Sequence, residues 1–151
     1  MFWERIDDLE ALRIAIQAEI DAHNYYKEAV KIFEEKDTKD LLATLANEEL
    51  KHRKQLEDQY STLSGKRLLY INLPKKRRFT KPLMPDATDL EILQTAMDQE
   101  REAKEFYEKA IQRTMDAGGK AVFVKLIDDE ERHFQLLQAE YNVREKSSVN
   151  V

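Results

Sequence analysis

Residues 47–53 read NEELKHR, and residues 128–134 read DDEERHF. Each stretch contains one Glu-x-x-His pair, and the two pairs are 81 positions apart. The pairs are Glu49 with His52 and Glu130 with His133. Because residues three apart lie on one face of an α-helix, each pair presents a carboxylate and an imidazole side by side. Both groups are metal ligands, so the repeat predicts two helices that face a shared metal site.

The same 81-residue step relates Glu19 to Glu100. Their surroundings also match, since residues 15–29 read AIQAEIDAHNYYKEA and residues 96–110 read AMDQEREAKEFYEKA. In both stretches the glutamate lies within a seam of apolar residues spaced three or four apart, which is the pattern of a buried helix face. The chain is therefore predicted to be a duplicated helix hairpin, with four glutamates and two histidines converging between its halves.

The composition favours a single all-α domain, covering residues 1–151. Only three Gly and three Pro are present, which favours long helices over frequent turns. The absence of Cys excludes disulfides, iron–sulfur clusters and Cys-ligated zinc. The net charge of −5 gives no reason to expect nucleic-acid binding. No segment resembles a signal peptide or a membrane span, so we expect a cytoplasmic protein that does not bind membranes.

Apolar periodicity predicts four helices. They are expected at about residues 7–36, 38–62, 88–117 and 119–145. Asp7 or Asp8 is suited to cap the first helix and Thr88 the third, and Gly118 with Gly119 to close the third. All three prolines lie in residues 63–87, which are predicted to form a long crossover between the two hairpins. The predicted fold is an all-α four-helix bundle built from two helix hairpins.

Four carboxylates in the middle of an apolar bundle require positive charge. Burying an ionised carboxylate without a partner costs several kcal/mol, and Lys104 is the one lysine of the seams near them. Two divalent cations would balance the four charges, with neutral His52 and His133 completing the ligand set. A mixed Glu and His set suits iron, with manganese as an alternative, whereas structural zinc more often uses Cys and calcium or magnesium uses oxygen ligands alone.

This pattern resembles that of the ferritin-like di-iron carboxylate proteins, with rubrerythrin and bacterioferritin the most similar. The resemblance covers all four helices. It implies that Glu19 and Glu100 are terminal ligands, that Glu49 and Glu130 bridge two iron ions, and that His52 and His133 each bind one. Rubrerythrins usually carry a further Glu one turn after the ligand of the third helix, where this chain has Ala103. In that respect the ligand set is more similar to that of bacterioferritin.

Several other residues are expected close to the metal ligands. Tyr26 and Tyr107 lie two turns beyond Glu19 and Glu100 on the same seams, where a Tyr can donate a hydrogen bond to a ligand carboxylate or an electron to the centre. His23 lies one turn beyond Glu19 and is interpreted either as a seventh ligand or proton shuttle, or as a residue outside the ligand set. Glu48 and Asp129 directly precede ligands, and they are expected to be solvated or to hold a ligand His across the bundle.

The resemblance implies a non-haem di-iron oxidoreductase that reduces hydrogen peroxide. The alternatives are an O2-using ferroxidase that handles iron, a metal-binding protein without turnover, and a purely structural bundle, which the buried charges disfavour. Rubrerythrins often carry a rubredoxin domain with four Cys, so for this Cys-free chain we expect a separate electron donor, such as a rubredoxin-like protein. We also expect a homodimer. The basic run Lys75–Arg78 is interpreted as a solvated part of the crossover rather than a nucleic-acid site.

Overall fold

A computed structural model describes residues 2–66 and 82–149. These residues form a short 3-10 helix, Trp3–Arg5, and four α-helices, and contain no strand. The helices are α1 Asp8–Val30, α2 Lys36–Ser64, α3 Asp89–Arg113 and α4 Ala117–Val149. Helix α1 packs along α2 and α3 packs along α4, which confirms the all-α four-helix bundle of two hairpins. The basic run Lys75–Arg78 and most of the predicted crossover lie outside the described residues.

Side-chain caps mark where three of the helices begin. The carboxylate of Asp7 accepts from the backbone N–H of Glu10 at 2.7 Å, and the hydroxyl of Thr88 accepts from the N–H of Glu91 at 3.1 Å. Each bond satisfies one of the free N–H groups in a first helical turn. The cap at Thr88 was predicted from the sequence, and the structure selects Asp7 where the sequence allowed either Asp7 or Asp8. At the start of α4, Asp116 Oδ2 accepts from the N–H of Gly119 at 2.7 Å.

The first hairpin turns earlier than the sequence indicates. Helix α1 ends at Val30 rather than near residue 36, and α2 begins at Lys36 rather than residue 38. The intervening turn buries Phe33, which is only 1% exposed and joins the apolar core. Lys39 Nζ donates to the carbonyl oxygen of Val30 at 2.6 Å, so the C-terminal end of α1 is satisfied from the next helix.

The second correction concerns Gly118 and Gly119, which do not close the third helix. Helix α3 ends at Arg113, and both glycines lie in the first turn of α4. A Cβ atom on Gly118 would lie 2.7 Å from Nε2 of Gln59, so the small residue leaves room for the side-chain amide of Gln59 from α2. Helix α4 also continues to Val149, four residues beyond its predicted end.

The apolar core consists of two clusters, one toward each end of the bundle. One includes Phe33, Leu42 and Leu93, and the other includes Leu12, Phe123 and Leu126. Between them, both hairpins contribute a layer of buried acidic and histidine side chains. Burying one large apolar side chain contributes about 1.5–3 kcal/mol, so the two clusters can hold that polar layer in place. No helix in the described ranges is long and apolar enough to span a membrane.

Arg144 of α4 joins three elements and should therefore stabilise the bundle. Its guanidinium contacts Asp89 Oδ2 at 2.6 Å, forms an ion pair with Glu35, and stacks 5.4 Å above the ring centre of Phe33. We expect Arg144→Ala to lower the free energy of unfolding by about 1.5–3 kcal/mol, the range for hydrogen bonds to charged groups. Urea denaturation of the purified protein measures this change.

The matched control is Arg101→Ala. Among the described residues Arg101 pairs only with Asp98 of its own helix, and its side chain is 57% exposed. Exposed pairs of this kind contribute about 0–1 kcal/mol. Equal losses from Arg101→Ala and Arg144→Ala would contradict the role assigned to Arg144.

Candidate metal centre

The structure brings all six sequence-predicted ligands together in the middle of the bundle. Each helix contributes to the cluster, α1 and α3 with one Glu and α2 and α4 with a Glu-x-x-His pair. No member is more than 2% exposed. The cluster consists of Glu19, Glu49, His52, Glu100, Glu130 and His133.

Three carboxylates surround one imidazole nitrogen of His52. Its Nδ1 atom lies 3.1 Å from Glu130 Oε1, 3.4 Å from Glu49 Oε1 and 3.6 Å from Glu19 Oε2. These four residues come from α1, α2 and α4. Their ligand atoms lie within 4.8 Å of one another, which is close enough to surround a single metal ion.

His133 has the corresponding environment on the other side. Its Nδ1 atom lies 3.1 Å from Glu49 Oε1, 3.5 Å from Glu100 Oε2 and 3.7 Å from Glu130 Oε2. The two imidazole rings are nearly parallel, with their centres 5.6 Å apart. Glu49 and Glu130 belong to both groups, so the arrangement is that of two adjacent metal positions with two shared carboxylates.

The inner atoms of the cluster lack hydrogen bonds. Among the residues that the structure describes, seven buried atoms of the six side chains have no hydrogen-bond partner. They are Glu19 Oε2, Glu49 Oε1, His52 Nδ1, Glu100 Oε2, both carboxylate oxygens of Glu130, and His133 Nδ1. Leaving such groups unpaired in a protein interior is costly. Two cations would satisfy them, and one imidazole nitrogen with several carboxylate oxygens per position fits iron or manganese.

The outer nitrogen of each His is held by an acid from the opposite hairpin. His52 Nε2 lies 2.9 Å from Asp129 Oδ2, and His133 Nε2 is hydrogen-bonded to Glu48 Oε2. A carboxylate at Nε2 favours the tautomer that places its proton there, which leaves Nδ1 available as a metal ligand. The sequence left open whether Glu48 and Asp129 are solvated or hold a ligand His, and the structure supports the second alternative.

Two tyrosines hold the carboxylates of Glu19 and Glu100 in the same reciprocal manner. Tyr107 donates its hydroxyl to Glu19 Oε1 at 2.5 Å, and Tyr26 donates to Glu100 Oε1. Each bond crosses between the hairpins. Burial and the nearby carboxylates raise the pKa of both phenols well above 10, so both remain protonated donors. The structure thus places both tyrosines against the glutamates that the sequence predicts as ligands.

His23 lies away from the cluster. Its Nδ1 atom is 2.8 Å from the carbonyl oxygen of Ala46 on the neighbouring helix, and His23 is not among the residues grouped around the two positions. Lys104, its counterpart in the second hairpin, instead lies 3.0 Å from Glu131 Oε2. The interpretation of His23 as a residue outside the ligand set is therefore supported over a role as seventh ligand.

Charged neighbours raise the pKa of both cluster histidines and lower the pKa of Glu19. Burial lowers the pKa of the His52 imidazole, but the carboxylate of Glu19 raises it to about 11. For His133, burial acts against Glu100 and Glu49, and its pKa is also raised to about 11. His52 in turn lowers the pKa of Glu19 against the effect of burial. Without metal the cluster therefore retains protons, which metal binding would release.

Two pockets reach the carboxylates from outside. One lies between α1 and α3 and contacts Glu19 and Glu100. The volume in which the centre of a water molecule could lie is about 10 Å³. That is room for about one water. The other is larger, at about 160 Å³, and lies between α3 and α4 against Glu100, Glu130 and the Lys104–Glu131 ion pair. Small molecules therefore have routes to the cluster.

The hydrogen bond from Glu48 to His133 can be tested through metal affinity. We expect Glu48→Ala to weaken binding at the position nearest His133 by about 10–100-fold, because the outer partner of a ligand His orients the ring. Competition titration with a chromophoric chelator would measure the affinities. Glu131→Ala is the matched control, because Glu131 also lies near the cluster but its carboxylate faces Lys104. Similar affinities for Glu48→Ala and the unmodified protein would contradict the assignment.

Comparison with known proteins identifies relatives of the same architecture. The family model described as Rubrerythrin matches residues 10–141. A hypothetical protein from Pyrococcus furiosus is 30% identical, with 93% of this chain and 94% of that chain covered and a TM-score of 0.77. A dodecameric thioferritin, the bacterioferritin-related protein from Bacteroides fragilis, is 26% identical, with coverage of 93% and 89% and a TM-score of 0.77. No curated protein matches the sequence.

A third structure is similar in fold alone. It is a two-domain protein from Anabaena variabilis with DJ-1/ThiJ/PfpI-like and ferritin-like domains, 16% identical with a TM-score of 0.75. The match covers 92% of this chain but 37% of that one.

The family match and the buried Glu and His cluster together support a di-iron type of protein with a two-metal site. The chain belongs to the rubrerythrin family.

Proposed function

We propose that this protein is a non-haem di-iron oxidoreductase that reduces hydrogen peroxide to water. The observation that carries the proposal is the set of unpaired inner atoms, which falls into two groups sharing Glu49 and Glu130. Two adjacent metal positions allow two electrons to be delivered at one place. That number is what cleavage of one O–O bond requires.

The reaction balances with two ferrous ions and two protons for each peroxide. One H2O2, two Fe²⁺ and two H⁺ give two H2O and two Fe³⁺. A separate one-electron donor, such as a rubredoxin-like protein, must then return two electrons. When bound, the iron ions supply the electrons for O–O cleavage. We assign the six cluster residues as their ligands, with Glu19 and Glu100 terminal and Glu49 and Glu130 shared.

The protein itself supplies position and shielding. Tyr26 and Tyr107 restrain the terminal carboxylates, while Glu48 and Asp129 set the orientation of the two imidazoles. The burial of the cluster keeps bulk water from the reacting atoms. The smaller pocket, beside Glu19 and Glu100, holds about one water and therefore suits a small oxidant.

A ferroxidase that uses O2 to oxidise iron is the second candidate. It is favoured by the similarity to the dodecameric thioferritin from Bacteroides fragilis. A storage role would require a hollow shell of many subunits, whereas we propose a homodimer for the peroxidase. Light scattering separates the two assemblies, and a shell would favour the ferroxidase.

The decisive experiment is an anaerobic titration of metal-free protein with Fe²⁺, followed by mixing with H2O2 or with O2 in separate samples. We expect two tightly bound irons and faster oxidation by H2O2 than by O2 at equal concentration. Faster oxidation by O2 would replace the peroxidase with the ferroxidase. Failure to bind two metal ions of any kind would reject both.

A further inference from the structure

Gln99 is a buried amide whose hydrogen bonds are not satisfied by the protein. The residue is 4% exposed, and neither Oε1 nor Nε2 has a hydrogen-bond partner within the described part of the chain. An unpaired buried amide is unfavourable, because its hydrogen bonds to water are lost on folding and not replaced. Such a group in a folded protein therefore requires an explanation.

The amide lies beside the metal centre. Gln99 directly precedes Glu100 on α3, and it lines the small pocket between α1 and α3 together with Glu19 and Glu100. The methyl groups of Ala22 and Ala103, which are partly exposed, form another part of the pocket wall. The pocket thus extends from the partly exposed alanines to the carboxylates of the cluster, with Gln99 along its wall.

The chemistry of the wall distinguishes Gln99 from its neighbours. The alanines offer no hydrogen bonds, and the hydroxyl of Tyr107 is already donated to Glu19. Gln99 is therefore the neutral side chain of this pocket that retains both a free donor and a free acceptor. In the first hairpin the equivalent position is Ala18, so only the second hairpin carries this group.

The larger pocket between α3 and α4 does not offer the same recognition. Its polar wall includes Lys104, whose ammonium group is paired with Glu131 at 3.0 Å. The ammonium and the carboxylate of that pair already serve as each other's hydrogen-bond partner, unlike the amide of Gln99. The smaller pocket, with room for about one water, instead matches a small neutral ligand.

We propose that Gln99 binds hydrogen peroxide and selects it over O2. Peroxide carries O–H groups that can donate to Oε1 of Gln99 and oxygen lone pairs that can accept from Nε2. Dioxygen has no hydrogen to donate, so it leaves Oε1 unpaired and gains less from the same amide. This inference rests on the proposed function, since it takes peroxide as a substrate of the centre. Gln99 is a substrate-binding residue and contributes no metal ligand.

The test compares Gln99→Leu with the unmodified protein, both loaded with Fe²⁺ under anaerobic conditions. Stopped-flow mixing gives the second-order rate constants for oxidation by H2O2 and by O2. We expect Gln99→Leu to lower the H2O2 constant about tenfold, which corresponds to the loss of a typical hydrogen bond, and to change the O2 constant by less than about twofold. Gln94→Leu is the matched control, because Gln94 is exposed on the same helix and pairs with Asp98.

Two further measurements separate substrate binding from a structural role. Iron stoichiometry should stay at two in Gln99→Leu. The melting temperature of the metal-free variant should not fall, because leucine removes an amide that the fold does not pair. Ala103→Val, which narrows the same pocket one turn further along α3, should also slow oxidation by H2O2.

Equal effects of Gln99→Leu on both oxidants, or no effect on either, would overturn the proposal. So would loss of iron, a lower melting temperature, or failure of the metal-free variant to fold, since each would show that the fold needs the amide. Failure of the proposed function is a different result. In that case the unmodified protein itself would react no faster with H2O2 than with O2.

Discussion

Replacing Glu49 with alanine should leave the protein with at most one tightly bound iron ion. Glu49 belongs to both groups of potential ligands, and its Oε1 atom lies 3.4 Å from His52 Nδ1 and 3.1 Å from His133 Nδ1. The substitution takes one oxygen from each metal position. It also removes one of the four negative charges that balance two divalent cations, so the second cation would enter a site with too little negative charge.

Anaerobic titration with Fe²⁺, followed by metal analysis after gel filtration, would measure the loss. Glu108→Ala provides the control, because Glu108 is half-exposed on α3 and lies away from the cluster. The control should retain two irons. Retention of two irons by Glu49→Ala would exclude Glu49 as a ligand shared by the two metal positions.

The convergence of the six residues could be predicted because the signal is local and repeated. A carboxylate in an apolar seam is unfavourable unless it is paired or binds a metal. The 81-residue step places such a carboxylate in both hairpins, at Glu19 and Glu100. Spacing alone then aligns each Glu-x-x-His pair with the seam of its helix. The two tyrosines followed from the same reasoning, because they continue the seams.

The roles of Glu48 and Asp129 could not be decided from spacing. A residue that precedes a ligand points about 100° away from it, and whether that direction meets solvent or the opposite hairpin depends on how the helices are rotated against each other. Gln99 was missed for the same reason. Its one sequence signal was a polar residue where the first hairpin has Ala18, and that difference has meaning only once the pocket is known.

The helix ends were predicted least well, because tertiary contacts decide them. Phe33 continues the apolar seam of α1 by spacing, yet it is buried from within a turn and beneath Arg144. Gly118 follows the usual pattern of a residue that ends a helix. Here its lack of a side chain instead leaves room for Gln59 of α2, and Asp116 caps the helix that follows.

The unpaired oxygens of Glu130 imply that this residue lowers the stability of the metal-free protein although it is needed to bind metal. Neither of its carboxylate oxygens has a hydrogen-bond partner in the described ranges, although Oε1 lies 3.1 Å from Nδ1 of His52. Glu19 differs, because its removal would leave the buried hydroxyl of Tyr107 without an acceptor. Glu130 is therefore better suited than Glu19 for measuring how much a buried ligand carboxylate destabilises the protein when no metal is bound.

We expect Glu130→Leu to stabilise the metal-free protein by about 1 kcal/mol, because it removes one of four buried carboxylates that repel one another; apolar residues that replace whole buried ion pairs stabilise proteins by about 1–4 kcal/mol. His52 would keep Glu49 and Asp129 as partners, so the substitution does not isolate its charge. The same variant should lose most of its stabilisation by metal. For the unmodified protein that gain is about 4 kcal/mol per site at a thousandfold excess of free metal over the dissociation constant.

Urea denaturation with chelator and with excess Fe²⁺, under anaerobic conditions, gives both free energies for each protein. Glu131→Leu is the control, because Glu131 is about half exposed and lies beside the cluster; it should keep the full stabilisation by metal. The two effects of Glu130→Leu have opposite signs, so a variant that merely unfolds more readily cannot imitate them. A loss of stability in the metal-free state would mean that Glu130 is needed by the fold itself. Undiminished stabilisation by Fe²⁺ would mean that it is not a ligand.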